Sequence, residues 1–335
     1  MSKKINVITC FGLALLLTFS CKYVVKQTKI DNNFPMVKMP SLIISKNDAA
    51  KFLVNNFWND FLNPKRLAEL QKDSVLVLGV DSIKFEEAFA KYAGTLCFLQ
   101  SVDYNTTTIA IKKLFNIADS IAIAGDSTFL FTLVTLGEKY FYNPNSPMLN
   151  EEVYISVLEG VLASNAISGL NKMQYEYQLN ISKLNRVGSK GADFGYQKLV
   201  SQNNGKDIFA KGSLYTIKAD YTIIFFNNPN CQSCSEILEV LKSAPIIQQL
   251  IAKAKLKILA MYIDEDVISW SNNYKKYPSN WIYAYDNQYI LRDNNLYGLR
   301  AIPSLYLLDK DKKVLLKDVD INILVNYLLN LNNSL

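Results

Sequence analysis

The sequence predicts an α/β protein in which an all-α domain precedes a central mixed sheet covered by helices on both faces. Apolar residues recur at three- and four-residue steps across residues 41–187, which is typical of amphipathic helices. From 191 to 335, short β-branched and aromatic runs alternate with helical segments. Gly188 and Gly191 interrupt the pattern between the two, so we place the domain boundary there.

The first domain, residues 41–187, is predicted to hold about six helices. Phe85, Phe89 and Tyr92 follow one another at helical steps within 84–100. Asn150 precedes two glutamates, which places a capping side chain and two carboxylates at the positive end of a helix over 153–162. Other segments with helical periodicity begin near Asn47, Ile109, Phe129 and Leu170.

The second domain is predicted over residues 191–335. Counting only its main elements, their order is β-β-α-β-α-β-β-α. Strands are predicted at 214–217, 221–226, 256–263, 281–285, 304–308 and 314–316. Helices are predicted at 231–243, 245–255, from 264, at 287–297 and at 320–331. The run 256–263 is almost continuously apolar, as in a parallel strand buried on both faces.

Composition removes several classes of function. The chain has no histidine, which excludes Ser-His-Asp triads, Cys-His proteases, His-ligated zinc enzymes and haem with a histidine ligand. The net charge is +6, and it falls to +4 if Lys3 and Lys4 leave with a leader peptide. That excess is small and scattered, so no nucleic-acid partner is predicted.

Residues 1–20 are predicted to be a lipoprotein signal peptide. Lys3 and Lys4 precede an apolar run that is shorter than the roughly 20 residues of a membrane span, and Ser20 is followed by Cys21. Thr18 to Cys21 resembles a loose bacterial lipobox, with Cys21 lipidated and 21–40 as a tether. The alternatives are an ordinary signal cut near Ser20 and an uncleaved anchor. A lipid on Cys21 would hold the protein to the membrane on the periplasmic side of the envelope, where disulfides form.

Cys231 and Cys234 form a CxxC pair directly after the strand 221–226. The first cysteine begins a helix, where free N–H groups and the helix dipole stabilise a thiolate, and the second lies one turn further within disulfide reach. We interpret the pair as redox-active. An inert disulfide and half of a zinc site are the alternatives, although Cys97 would be the only other soft ligand. No metal site and no cofactor are predicted.

The strand–CxxC–helix unit at 225–241 and the late segment 299–309 resemble the thioredoxin superfamily. In that superfamily a cis-proline pair precedes a late strand and faces the CxxC, and here Ile302-Pro303 matches it. The resemblance implies that Ile302 and Pro303 bind substrate. Phe225 stands about where a buried carboxylate is usual. Glu236 is a candidate proton shuttle, although its helical spacing from Cys234 favours another direction.

The whole chain also resembles exported thioredoxin-like lipoproteins of Bacteroides-type bacteria, which carry a helical N-terminal domain of uncharacterised function. The matching stretches are Phe57-Trp58, 138–148, 219–222, 225–229 and Trp281, of which the loop 140–148 is the most distinctive.

These resemblances imply an enzyme, an envelope-tethered thiol–disulfide oxidoreductase in which Cys231 attacks and Cys234 resolves. Its partners would be protein substrates with disulfides or thiols and an upstream redox partner protein. The alternative is a non-catalytic binding module with a thioredoxin fold, in which the two cysteines form only a structural disulfide.

Overall fold

The computed structural model describes residues 32–70, 73, 75–203 and 206–333. The predicted signal peptide at 1–20, Cys21 and the tether up to residue 31 lie outside these residues. Within the described ranges, no helix is both long and apolar enough to cross a bilayer.

In the described part of the chain, seven helices precede the sheet and form the helical region. They are α1 Lys46–Asn56, α2 Pro64–Glu69, α3 Ser82–Gln100, α4 Tyr104–Ile123, α5 Thr128–Phe141, α6 Glu151–Ala163 and α7 Gly169–Ser182. Asn150 caps α6 as predicted, because its side-chain oxygen accepts the N–H of Val153 at 3.1 Å. The sequence did not predict α2, which buries no residue and so lacks an apolar period.

The helical region is held together by an aromatic core at the start of the described chain. Neighbouring ring centroids lie 5.0–6.0 Å apart. The rings belong to Phe34, Phe57, Trp58, Phe61, Phe85 and Phe129, all less than a tenth exposed. Because aromatic side chains bury large apolar areas, this cluster fixes α1, α3 and α5 against one another.

Within the described residues after α7, the chain forms one seven-stranded mixed sheet with five further α-helices. The strands are β1 Gly195–Asn203, β2 Lys206–Ser213, β3 Tyr221–Asn227, β4 Leu256–Tyr262, β5 Ile282–Tyr285, β6 Ser304–Asp309 and β7 Val314–Lys317, in the order β2-β1-β5-β4-β3-β6-β7. The helices are α8 Gln232–Ser243, α9 Pro245–Ala252, α10 Val267–Asn272, α11 Ile290–Asp293 and α12 Ile321–Asn333. β3, β4 and β5 are parallel, and the other pairings are antiparallel.

Both faces of this sheet are buried. Side chains alternate along β3, so Ile223 and Phe225 enter one core cluster and Ile224 and Phe226 enter another. The first cluster is covered by α8, α9 and α12, and the second by a 3-10 turn at Leu214–Thr216 together with α11. The predicted fold class, a mixed sheet covered on both faces after an all-α region, is therefore confirmed.

Two predicted elements of the sheet region are wrong. The strand predicted at 214–217 is a 3-10 turn, in which Thr216 Oγ1 accepts the N–H of Ser213 at 3.2 Å and donates to the carbonyl of Ser213 at 2.7 Å. The helix predicted over 287–297 shrinks to α11, because Tyr289 and Asn295 adopt positive φ angles of 54° and 45°. The domain boundary predicted at 187–191 remains a prediction and falls between α7 and β1.

Candidate functional site

Cys231 lies at the N-terminus of α8, just beyond the carboxyl end of the interior strand β3. It is the N-cap residue, and its Sγ accepts the backbone N–H of Cys234 at 3.3 Å. A sulfur in this position receives a hydrogen bond from the first turn of the helix and lies at the positive end of the helix dipole. Cys231 is also partly exposed, so an approaching disulfide can reach it.

Cys234 is buried, whereas Cys231 is partly exposed. The Cys234 side chain is 2% exposed, and both cysteines are free thiols. Burial, followed by the hydrogen bond with Cys231, raises the pKa of the Cys234 thiol to about 12. The pair therefore joins an accessible sulfur at a helix end to a buried sulfur that stays protonated at neutral pH.

The link between β3 and α8 is anchored to the segment that follows β4. Asn228 Nδ2 donates to Asp264 Oδ2 at 2.6 Å, and Asn228 Oδ1 accepts the N–H of Asn230 at 2.9 Å. Asn230 Nδ2 donates to Ser269 Oγ at 2.8 Å. These bonds fix the backbone that leads into Cys231, and they also explain why asparagines occupy this link.

A buried polar pair joins the end of β3 to the core cluster that contains Cys234. Phe225 is fully buried at the expected position, as the sequence indicated. Two residues later Asn227 is also fully buried, and its Oδ1 accepts a hydrogen bond from the Tyr277 hydroxyl at 2.6 Å. Glu236, the candidate proton shuttle, is exposed and accepts a bond from Gln232 Nε2 at 3.1 Å.

The sheet brings Ile302 and Pro303 to the same end as the cysteines. The peptide bond between them is cis, as the resemblance implied. β6 begins at the next residue, and Ser304 pairs with Phe226 near the end of β3. Ile302 is partly buried and contacts the core cluster that contains Cys234.

The remaining described cysteine lies apart from this site. Cys97 is on α3 in the helical region, and its Sγ donates to the carbonyl of Met148 at 3.5 Å. Burial raises the pKa of its thiol to about 12. Among the described residues, no three His, Cys, Asp or Glu side chains are grouped so that they could hold a metal ion.

The sequence analysis missed Asn227, Asp264 and Tyr277 as members of the site. Their partners are 36 or 50 residues away, so no spacing in the sequence relates them. The pair Asn227-Asn228, two residues short of the CxxC, was the available signal, because amides at the end of an apolar strand need hydrogen-bond partners.

Comparison with known proteins identifies the class of this chain. Residues 17–185 match a family described as a domain of unknown function (DUF5106), and residues 219–314 match a family described as thioredoxin-like. A thioredoxin-like protein from Bacteroides caccae is 33% identical with a TM-score of 0.72, and the match covers 89% of this chain and 98% of that one. No curated protein matches.

Two further solved structures match less than half of this chain. One is the C-terminal domain of an uncharacterised protein from Bacteroides fragilis, 41% identical, with a TM-score of 0.39 and coverage of 43% of this chain and 98% of that one. The other is a conserved protein of unknown function from Bacteroides fragilis, 32% identical, with a TM-score of 0.38 and the same coverage.

The chain therefore belongs to the DUF5106 family and carries a C-terminal thioredoxin-like domain. The predicted resemblance to thioredoxin-like proteins of Bacteroides with a helical N-terminal domain of unknown function is confirmed.

Proposed function

We propose that this protein is a thiol–disulfide oxidoreductase that acts on exported proteins through Cys231 and Cys234. The observation that carries the proposal is the asymmetry of the pair. Cys231 is accessible and accepts an N–H at the start of α8, whereas Cys234 is buried with a raised pKa. A purely structural disulfide needs no such difference between its two sulfurs.

The reaction consists of two thiol–disulfide exchanges. The Cys231 thiolate attacks one sulfur of a substrate disulfide, a new S–S bond forms, and the other substrate sulfur leaves with the electron pair and takes up a proton. Cys234 then loses its proton and attacks Cys231 Sγ, which closes the intramolecular disulfide and releases the second substrate thiolate. Two electrons pass from the cysteine pair to the substrate.

An upstream dithiol partner protein would return the two electrons and regenerate the pair. The same two exchanges run in the opposite direction when the pair is oxidised and the substrate is a dithiol, so the relative reduction potentials set the direction. Ile302 and Pro303 lie beside the end of β3, where an extended substrate segment can pair with the backbone of Ile302 in the manner of an added strand.

We place this reaction on the periplasmic side of the envelope, with the protein held to the membrane by a lipid on Cys21. The support is the leader at 1–20, in which a basic start and an apolar run end in Ser20-Cys21. Fractionation tests the anchor: the natural chain should sediment with membranes, and Cys21→Ala should not. A natural chain that stays in the soluble fraction with a free amino terminus contradicts it.

The covalent intermediate gives the direct test of the reaction. With Cys234→Ser, the mixed disulfide on Cys231 has no intramolecular thiol to release it, so substrate proteins should accumulate as adducts on non-reducing gels of envelope extracts. A reducing agent should remove the adducts.

Two serine variants serve as controls for trapping. Cys231→Ser should trap almost nothing, because the remaining Cys234 thiol is buried. Cys97→Ser should behave like the natural chain, since that thiol is far along the sequence in the helical region. Adducts that form equally with both CxxC variants, or with neither, favour the binding-module alternative.

A further inference from the structure

Four charged side chains meet where the helical region contacts the thioredoxin-like domain. Glu151 begins α6, whereas Arg300, Lys317 and Asp318 belong to the thioredoxin-like domain. Arg300 Nη2 lies 2.8 Å from Asp318 Oδ2 and 3.3 Å from Glu151 Oε1, and Lys317 Nζ lies 2.6 Å from Glu151 Oε2. Their side chains are only 7–20% exposed, so this charge cluster is largely shielded from water.

Arg300 is also fixed by a second part of the helical region. Its Nη1 donates to the backbone carbonyl of Tyr142, and its guanidinium carbon lies 4.5 Å from the centroid of the Tyr142 ring. That ring stacks on Tyr154 of α6 at 4.6 Å. Tyr142 lies in the loop 140–148, the most distinctive of the stretches that resemble exported thioredoxin-like lipoproteins. Its contacts with Arg300 give this loop a structural role.

The position of Arg300 in the chain links this cluster to the proposed substrate site. Arg300 is two residues before Ile302 and four before Ser304, where β6 begins. The cluster also anchors the other end of the β6–β7 hairpin, because Lys317 Nζ donates to the carbonyls of Leu184 and Ser182 at 2.6 and 3.1 Å. Contacts from the helical region therefore hold both the segment that leads into β6 and the last residue of β7, which pairs with Tyr306 of β6.

The cluster is balanced in charge and sensitive to the loss of one member. It contains two cations and two carboxylates, and burial raises the pKa of Glu151 although Lys317 and Arg300 oppose that rise. Removing one partner leaves a buried charge uncompensated, which is far more costly than losing an exposed ion pair. The planar guanidinium of Arg300 binds several acceptors at once, which a lysine ammonium cannot reproduce in the same geometry.

We propose that Arg300 is a positioning residue through which the helical region, by way of Tyr142 and Glu151, holds the Ile302–Pro303 segment in place for protein substrates. The inference rests on the proposed function and gives the DUF5106 region a role in it. A protein disulfide must pair with this segment while Cys231 attacks. A small disulfide needs only the accessible sulfur of Cys231, so the two kinds of substrate should respond differently.

The test compares insulin, a protein disulfide, with bis(2-hydroxyethyl) disulfide in the full chain. Dithiothreitol supplies the two electrons that re-reduce the Cys231–Cys234 disulfide after each turnover, and the rate without the protein is subtracted. Arg300→Gln should lower kcat/KM for insulin by about tenfold or more, mainly by raising KM. The reason is that misplacing a group that positions the substrate lowers kcat/KM by about this factor or more. The kcat/KM of this variant for the small disulfide should change less than about twofold. Arg300→Lys keeps the positive charge but lacks the planar guanidinium group. This variant should fold, and its kcat/KM for insulin should lie between those of the natural chain and Arg300→Gln.

A double-mutant cycle shows whether the helical region takes part. Glu151→Gln changes only the partner on α6, and Arg300→Gln/Glu151→Gln should lose less insulin activity than the product of the two single losses. Glu87→Gln is the matched control, because its exposed ion pair with Lys84 lies wholly within α3 of the helical region. It should leave both substrates unaffected.

The results separate the inference from the proposed function. If the Arg300 variants keep natural insulin kinetics, lose activity equally for both substrates, or combine multiplicatively with Glu151→Gln, the positioning role is overturned. If the natural chain reduces neither substrate, or Cys231→Ser is as active as the natural chain, the oxidoreductase proposal itself fails.

Discussion

The Tyr277 hydroxyl donates to Asn227 Oδ1 at 2.6 Å, although the two residues are 50 positions apart in the chain. Asn227 ends the interior strand β3 four residues before Cys231, and Tyr277 packs in the same core cluster as Cys234. Asn227 Nδ2 also donates to the carbonyl of Phe225 at 2.8 Å. A neutral hydrogen-bonded pair thus joins the end of β3 to the core that contains Cys234.

Tyr277→Phe should destabilise the fold. The phenylalanine keeps the ring contacts, but Asn227 Oδ1 loses its donor in a site without exposure to water. Leaving a buried acceptor unsatisfied costs about 1–3 kcal/mol of unfolding free energy. Chemical denaturation followed by circular dichroism measures this loss.

Tyr177→Phe provides the matched control for that measurement. Tyr177 is 60% exposed, and its hydroxyl accepts a bond from Asn295 Nδ2 at 3.3 Å. An exposed hydroxyl can exchange its partner for water, so the change should stay within about 0.5 kcal/mol. Equal losses of unfolding free energy in the two variants would show that the hydrogen bond between Tyr277 and Asn227 does not contribute to stability beyond an exposed one.

Alkylation should distinguish the three described cysteines by their surroundings. Burial and the hydrogen bond with Cys231 raise the pKa of Cys234 to about 12, and burial raises that of Cys97 to about 12 as well. Since the thiolate is the nucleophile, iodoacetamide should modify Cys231 first in the reduced, folded chain. Cys234 and Cys97 should stay protected until the pH approaches 12.

Mass spectrometry of peptides after labelling at increasing pH provides this measurement, and the unfolded chain is its control. Unfolding should remove the burial of Cys234 and Cys97 and bring the pKa of these two thiols toward the ordinary value of about 8.5, so that both are labelled as well. Comparable labelling of Cys231 and Cys234 in the folded chain at pH 8 would contradict the asymmetry on which the proposed reaction depends.

The parts of the fold that the sequence predicted are those with a local signal. β4 was predicted because Leu256–Tyr262 is almost entirely apolar, and the start of α8 because Cys231 directly follows a β-branched strand. The β1–β2 hairpin at one side of the sheet was missed, because its two strands carry polar residues such as Gln197 and Lys211 among few apolar ones.

The parts of the site that the sequence could not predict depend on contacts between distant residues. Cys231, Cys234 and the Ile302–Pro303 pair were found because each carries a short motif. The contact of Arg300 with Tyr142 spans 158 residues, and neither residue lies in a pattern with a chemical meaning of its own. Such contacts depend on how the helical region packs against the sheet. That packing leaves no periodic pattern of apolar residues in a single sequence.

Alkaline pH should destabilise the chain through its buried tyrosines. Burial raises the pKa of Tyr196 and Tyr262 from 10.0 to about 12. A raised folded-state pKa means that the neutral form is favoured by folding, so this stabilisation is complete below pH 10 and is lost as the pH rises toward 12. Denaturation midpoints measured between pH 8 and 12 should be constant at first and then fall. A midpoint that is unchanged at pH 12 would contradict the burial of these hydroxyls.

Gly298→Ala should destabilise the contact between the two regions. Gly298 has a φ angle of +61°, and an added Cβ would lie 2.8 Å from Ile181 Cγ2 on α7. The left-handed backbone alone costs an alanine about 1–2 kcal/mol, and the overlap with Ile181 adds to that loss. Denaturant unfolding should therefore show a loss of at least about 1 kcal/mol.

Two further variants separate the backbone cost from the overlap. Gly169→Ala is the control, because Gly169 begins α7 with nothing within 4 Å of an added Cβ, and it should stabilise the chain by about 0.4–1 kcal/mol. Ile181→Ala removes the atom that the Cβ added by Gly298→Ala would strike. The double variant Ile181→Ala/Gly298→Ala should therefore lose less stability than the sum of its single changes, since only the backbone cost of the glycine replacement remains. Additive losses would show that the α7 side chain does not confine the loop that leads to Arg300 and Ile302.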